Sequence, residues 1–493
     1  MRTLSGTDSM FLSLESPTNL FQVAALTVLD PSTAPPGTPP PHEALRRVIE
    51  DRLDRLGPLC RVYAGAPAGV DHGRWVDRRP DLDHHVRRGA LPAPGSEREL
   101  TAMAAELLAR PLDRRRPLWE IHVVEGLEGG LVAGIAKLHH SIVDGVAGIE
   151  VTAELMDLAP TAPPPRPALS AVDDEAAPGL PTVLGQAVAH AARRVAPASR
   201  LSLRMATAAL TLRTRNRHVD AVPPAPFSAP RTALAARVGR RRSVGLAHVD
   251  RADVEQVRDA TGVSVNDVIL HLAGSALRTQ LRARGELPER PLVAFVPKST
   301  RTASDTLDTG VNRLSGMLVS LATDVEDPVA RLCAIAESAS SAKDQERMLG
   351  EDLFGELAEL VPPALLAPGA ELARRVGLTT RRPPFTVVVS SFPGSPVPLY
   401  CAGAELVAYH PFGPVVDGAA LNVTATSYRD RIAFGLLGGE SVPPPQVDRL
   451  GRLLQESMTE LAKAVANGRR SRRPTVEARE ARGALARRSP PAP

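Results

Sequence analysis

Apolar and polar positions alternate in short blocks along the chain, and the blocks predict many brief strands separated by helices. Residues 21–29 form an apolar stretch that predicts an early strand. A proline-rich loop fills 31–41, and 45–56 has helical spacing. A further strand region is expected over 75–86. Ser96 and Glu99 stand at capping-box spacing and open a helix to about residue 108. Strands are expected at 119–124 and 131–138, joined by the glycine-rich turn 126–130, and 149–158 reads as a helix.

The pattern then breaks. Residues 160–167 are rich in proline, and 171–181 are small and acidic. Acidic residues are missing between Ala176 and Val219, where arginines accumulate beside Leu201, Met205, Leu210 and Leu212. Two readings stay open. One is a basic amphipathic helix that meets anionic lipid; the other, favoured, is a solvated helical crossover between domains. Strand and helix blocks resume with a strand at 243–249, a helix at 250–261, and a helix at 268–284 capped by Ser264 or Asn266. Strands follow at 292–297, 317–322 and 385–389, and a hairpin at 421–436 turns at Arg429-Asp430. The mixed order predicts an α/β protein of two sheet-centred halves. The expected division is 1–160 for the first half, 161–230 for the linker, 231–467 for the second half, and 468–493 for a basic, solvated tail.

Composition narrows the classes. The chain has 493 residues and a net charge of +4, too small an excess to argue for nucleic acid. Cys60, Cys333 and Cys401 are widely spaced and form no CxxC pair, against a disulfide scaffold or zinc ribbon and in keeping with a reducing cytoplasm. Neither a signal-peptide layout nor a membrane-spanning apolar run is visible, so a cytoplasmic or peripheral protein is expected.

The candidate chemistry lies at His139-His140-Ser141-Ile142-Val143-Asp144-Gly145, directly after the apolar strand 131–138. An imidazole at a strand end can take a proton near neutral pH. Asp144 stands four residues beyond His140, and Gly145 permits a sharp turn, so Asp144 is expected to hold the loop rather than relay a proton. With His140 as general base, an alcohol or thiol would attack an activated acyl carbonyl. The chain has no G-x-S-x-G, which favours direct transfer in a ternary complex. Metal ligation fits poorly, because adjacent histidines diverge on a strand and no H-E-x-x-H is present. A purely structural role is the competing reading. His84-His85 shows that a pair alone is weak evidence.

Companion motifs add weight. Arg116-Pro117-Leu118-Trp119-Glu120, Asn266-Asp267, Asn312-Arg313-Leu314-Ser315 with Asp327-Pro328, Pro398-Leu399-Tyr400, and Val416-Asp417-Gly418 with Leu421-Asn422-Val423 follow in order, and Asp8 with Phe11 precedes them. With the histidine motif, this set resembles the bacterial wax ester synthase/acyl-CoA:diacylglycerol acyltransferase family over about residues 4–465. The resemblance implies two chloramphenicol-acetyltransferase-like halves, the CoA-dependent acyltransferase fold, joined by the helical crossover. It implies acyl-CoA as donor and a long-chain alcohol or diacylglycerol as acceptor, with no metal or other cofactor. It also implies His140 as base, His139 in support, Asp144 in an orienting role and Gly145 as the motif turn. Trp119 and Asn266 are weak substrate-binding candidates; for Trp119 core packing is at least as good a reading, and for Asn266 a helix cap is favoured. Ala235 and Ser391 stand where the family usually has asparagine, at places the resemblance ties to the acceptor tunnel or its loops. His410 with Asp417 faintly echoes the first motif, but its longer gap forbids the same loop. Contact with an anionic membrane or lipid droplet is a further expectation. A non-catalytic lipid-binding homologue, or an acyltransferase with a non-lipid acceptor, are the alternatives.

Overall fold

The computed structural model describes residues 2–143, 145–161, 222–299, 312, 314–350 and 353–486, with scattered positions between 185 and 217. The expected basic crossover and Asp144 therefore lie largely or wholly outside the described residues.

Two six-stranded sheets organise the molecule. In the first, β2 (Gln22–Asp30), β7 (Val132–His139) and β6 (Trp119–Glu125) pair antiparallel, and β5 (Val86–Ala90) adds a parallel edge. Both faces of this sheet are covered. Leu26, Val124, Ala133 and Ile135 pack against Leu100, Ala104 and Leu107 of α4 (Glu97–Leu108). Ile121, Val123 and Val132 share the opposite core with Ile49 of α2 (Pro41–Arg52) and Val151 and Leu155 of α5 (Gly145–Leu155). Burial on both sides explains the flat apolar character of the strand before the histidines.

The second sheet runs β10 (Leu314–Ser320), β9 (Val293–Ser299), β11 (Val387–Phe392), β14 (Leu421–Tyr428), β15 (Arg431–Gly438), β8 (Ser243–Asp250). Its core joins Val268, Leu272 and Leu277 of α7 (Val265–Ala283) to Leu450, Leu454 and Leu461 of the last helix, α12 (Pro444–Ala486). The α12 backbone is helical to Ala486, inside the segment expected to be a solvated tail; side chains beyond 467 are outside the described residues.

Two strands of late sequence complete the first sheet. β12 (Tyr400–Cys401) pairs with β13 (Ala404–Phe412), and β13 pairs along β2. Where β13 crosses β15, the backbones nearly touch: a Cβ on Gly435 would stand 2.0 Å from the Pro411 carbonyl oxygen. Only glycine admits that approach.

Local signals behave as their chemistry dictates. Ser96 and Glu99 form the expected capping box. Ser264 caps α7 in a second box with Asp267, which settles the open choice of cap against Asn266. β14 and β15 form the expected hairpin, with Arg429 at φ 53° in its turn. The region 75–86 is not one strand. Asp81 accepts from the Asp83 amide at 3.1 Å and starts a single helical turn, Leu82–His85, between two strands. The helix expected at 149–158 starts earlier, at Gly145, because Ala147, Val151 and Leu155 share one buried face.

Candidate active site

β7 ends on the histidine motif. The His139 amide donates to Leu118 O at 2.9 Å, and the His140 amide donates to Phe21 O at 2.8 Å, so the neighbouring strands hold the chain as it leaves the sheet. Ile142 N closes a tight turn on His139 O at 3.0 Å, and α5 starts at Gly145.

The two rings have different surroundings. His139 is buried. Its Nδ1 accepts from the Ser141 hydroxyl at 2.7 Å and the Ser141 amide at 3.1 Å, which puts the ring proton on Nε2. Nε2 lies 3.8 Å from Glu15, itself paired with Arg114. Burial, helped by Arg114 and His140, pushes the His139 pKa down to about 3, so the ring is neutral at physiological pH. It is a fixed brace for the turn. His140 is half-buried. Its ring stacks on Phe11 of α1 (Gly6–Leu14), with centroids 4.5 Å apart and planes 28° apart.

Asn312 reaches this ring from the other half of the chain. Its amide nitrogen donates to the His140 carbonyl oxygen and lies 3.5 Å from His140 Nδ1. Asp8, in the first turn of α1, lies close to Asn312. Burial raises the Asp8 carboxyl well above the usual range, against the opposing influences of Ser5, Arg61 and Asn312. A buried carboxyl whose pKa is raised, an amide and an imidazole thus sit together, with residues from both halves.

Two cavities lie along α5, the helix that leaves the motif. One, about 450 Å³, is lined by Ala25, Leu29, Val132, Ala136 and Cys401. The other, about 740 Å³, is lined by Ile149 and Ala153 of α5 on one side and Phe392, Thr426 and Tyr428 of the second sheet on the other. Thr152, Met156 and Tyr409 line both.

Comparison with known proteins fits this geometry. Residues 4–269 match the wax ester synthase/diacylglycerol acyltransferase catalytic domain, and residues 311–462 match the C-terminal domain of the same family. A Mycobacterium tuberculosis protein named as a diacylglycerol O-acyltransferase is 36% identical over 468 residues, covering 94% of this chain and 100% of that one. Another from the same organism is 34% identical over 453 residues, covering 90% and 87%. The chain belongs to the wax ester synthase/diacylglycerol acyltransferase family. The solved structure of the Marinobacter aquaeolei VT8 wax ester synthase/diacylglycerol acyltransferase superposes with a TM-score of 0.66 at 29% identity, covering 94% of this chain and 100% of that one. The first condensation domain of the CDA synthetase shares the fold, with a TM-score of 0.54 at 17% identity and coverage of 94% and 96%. The expected two-part α/β acyltransferase architecture is therefore the one observed.

Within this family frame, the other sequence candidates separate. Trp119 is core: its ring is 1% exposed, its Nε1 donates to Leu59 O at 2.8 Å, and His85 stacks on it at 4.4 Å. That packing explains the His84-His85 pair without chemistry. Asn266 is half-buried, and its Oδ1 accepts from Ser391 Oγ at 2.8 Å. The unusual Ser391 is thus the direct partner of Asn266. Ala235 is buried in the loop before β8. His410 donates from Nδ1 to Phe434 O at 3.0 Å inside the sheet, and Asp417 accepts from Val238 N at 2.9 Å. The faint second motif is structural. Asn312, Phe11 and Asp8 are the residues whose roles sequence reasoning missed; all three stood among the matching motifs, but nothing in their spacing pointed at His140.

Proposed function

We propose that the protein transfers a fatty acyl group from acyl-CoA to the hydroxyl of diacylglycerol or of a long-chain alcohol, with His140 as general base. The observation that carries this is the His140 ring, held at a strand end between Phe11 and Asn312. The imidazole takes the acceptor's hydroxyl proton as the oxygen bonds to the thioester carbonyl carbon. The tetrahedral intermediate collapses, the C–S bond breaks, and the CoA thiolate leaves with the proton from the imidazolium. The acyl group passes directly, so no acyl-enzyme and no cofactor enters the scheme. The apolar cavities along α5 suit the long chains and keep water from the thioester.

The test is free-CoA release by purified protein with hexadecanoyl-CoA and either diacylglycerol or hexadecanol. Acceptor-dependent release, abolished in His140→Ala with unchanged circular dichroism, supports the reading. Near-normal transfer by that variant would sink the base assignment. Binding of acyl-CoA without release under any acceptor would favour the lipid-carrier alternative.

A further inference from the structure

Several strongly exposed aliphatic side chains fall within one stretch of the chain, residues 357–378. Helix α10 (Pro363–Arg375), which follows α9 (Leu353–Leu360), has no buried residue. Leu365 is 68% exposed, Leu372 63%, Val376 51% and Leu378 44%. Positions 365, 372 and 376 fall on one helical face, and Leu357 of α9 and Val361, between the two helices, are exposed as well. An exposed apolar helix face of this kind marks an interaction site.

Its charge and its location restrict the partner. Residues 363–382 carry four arginines (Arg374, Arg375, Arg381 and Arg382) against one acid, Glu371. Arg381 and Arg382 are exposed just beyond Leu378, Arg381 as the last residue of the turn helix α11 (Leu378–Arg381) and Arg382 directly after it. Aliphatic side chains with a basic rim match an anionic lipid interface, where the side chains enter the acyl boundary and the guanidinium groups meet the headgroups. Both α9 and α10 pack on α1, the helix whose Phe11 stacks on His140. The patch is therefore one helix away from the proposed base. Among the described residues no helix is long and apolar enough to cross a membrane, so contact of these elements with lipid would be peripheral.

We propose that the exposed face of α10 and the turn through Arg382 docks the protein on an anionic phospholipid bilayer, bringing a membrane-dissolved acceptor to the His140 site. The inference rests on the acyl-transfer reading for its purpose, but docking is measurable without it. Diacylglycerols and long-chain alcohols partition into lipid, so an enzyme that consumes them gains from an entrance at the lipid surface.

The experiment uses the full chain and sedimentation with vesicles of phosphatidylcholine plus phosphatidylglycerol, against phosphatidylcholine alone. Wild type should bind the anionic vesicles preferentially. The combined Leu365→Asp, Leu372→Asp, Val376→Asp variant should lose at least about tenfold in binding, and Arg381→Glu with Arg382→Glu should lose the preference for anionic vesicles. Turnover of vesicle-presented diacylglycerol should fall with binding, while transfer to a water-dissolved short-chain alcohol stays at the wild-type rate, which also shows that the variants are folded. Unchanged vesicle binding in the triple variant overturns the proposal. So does a change in oligomeric state by sedimentation velocity with vesicle binding intact, which would mean that the face meets a second copy. Loss of vesicle binding in the variant, with no CoA release from wild type under any acceptor, leaves docking standing and removes the catalytic reading.

Discussion

Asn312 and His140 are 172 residues apart in sequence, yet the Asn312 amide donates to the His140 carbonyl oxygen and stands 3.5 Å from His140 Nδ1. The contact spans the two family-matched regions, since His140 directly follows β7 of the first sheet and Asn312 lies two residues before β10 of the second. The orientation of the imidazole thus depends on how the halves are docked.

Replacing Asn312 with alanine removes the cross-half hydrogen bond while Phe11 still stacks on the ring. A base displaced by a fraction of an ångström loses alignment rather than substrate affinity. The expected result is a fall in kcat of about tenfold to a hundredfold with little change in KM for acyl-CoA. Steady-state CoA release measures both. An unaltered kcat would show that Asn312 does not position His140.

The sequence carried much of this fold because its signals were local. Strand β7, the Ser96–Glu99 box and the β14–β15 hairpin each depend on residues within a few positions of one another. What it did not carry depends on distance in sequence. The pairing of β13 with β2 joins residues nearly 400 positions apart, and no periodicity in either strand encodes the partner. The site divides the same way. The histidine motif is legible from its strand and turn, whereas Asn312 and Phe11 act on His140 only after the chain has folded. Asn266 looked like a cap because it opens a helix; Ser264 won that place by pairing with Asp267, freeing Asn266 for Ser391.

Lys137 is a buried cation next to the motif, 1% exposed, on the face of β7 opposite α5. Its Nζ donates to Leu107 O at 3.2 Å and Arg110 O at 3.0 Å at the end of α4, and lies 3.3 Å from Glu120. Burial works against the Glu120 charge, but the His122 hydrogen bond and Lys137 hold its pKa down to about 2. Lys137→Met strands both the carboxylate and the helix-end carbonyls. A loss of about 3–5 kcal/mol is expected, read from urea unfolding. A loss below about 1 kcal/mol would show that the network is not a stability determinant.

Four buried histidines should make the protein acid-labile. Burial pushes His139 and His271 down to about 3, and His85 and His410 down to about 4. Unfolded histidine titrates near pH ~6.5, so below that pH the unfolded chain binds more protons than the native one. Stability is therefore full above about pH 6.5 and is lost as the pH falls toward 3–4, with each residue costing up to roughly 1.4 kcal/mol per pH unit in that window. Thermal unfolding should show Tm falling steeply between about pH 6.5 and pH 4.5. His271→Gln, in the core of α7 and away from His140, should flatten the slope. A Tm independent of pH across this range would contradict neutral burial of the set.

Ala136 tests where the acyl chain lies. It lines the 450 Å³ cavity on β7 and stands four positions before His140, the residue after that strand, about 13 Å at strand rise. An acyl chain that enters this cavity from a thioester held at His140 must pass Ala136 with its distal carbons, which a short chain never reaches. Ala136→Leu adds three carbons to the wall there, enough to exclude a similar number of methylenes. At ~0.8 kcal/mol for each methylene denied burial, kcat/KM for hexadecanoyl-CoA should fall roughly tenfold to a hundredfold, while hexanoyl-CoA is little affected. The measurement is a donor-length series with one fixed acceptor. An equal fall at every length would indicate general damage to packing, and no change at any length would place the acyl chain outside this cavity.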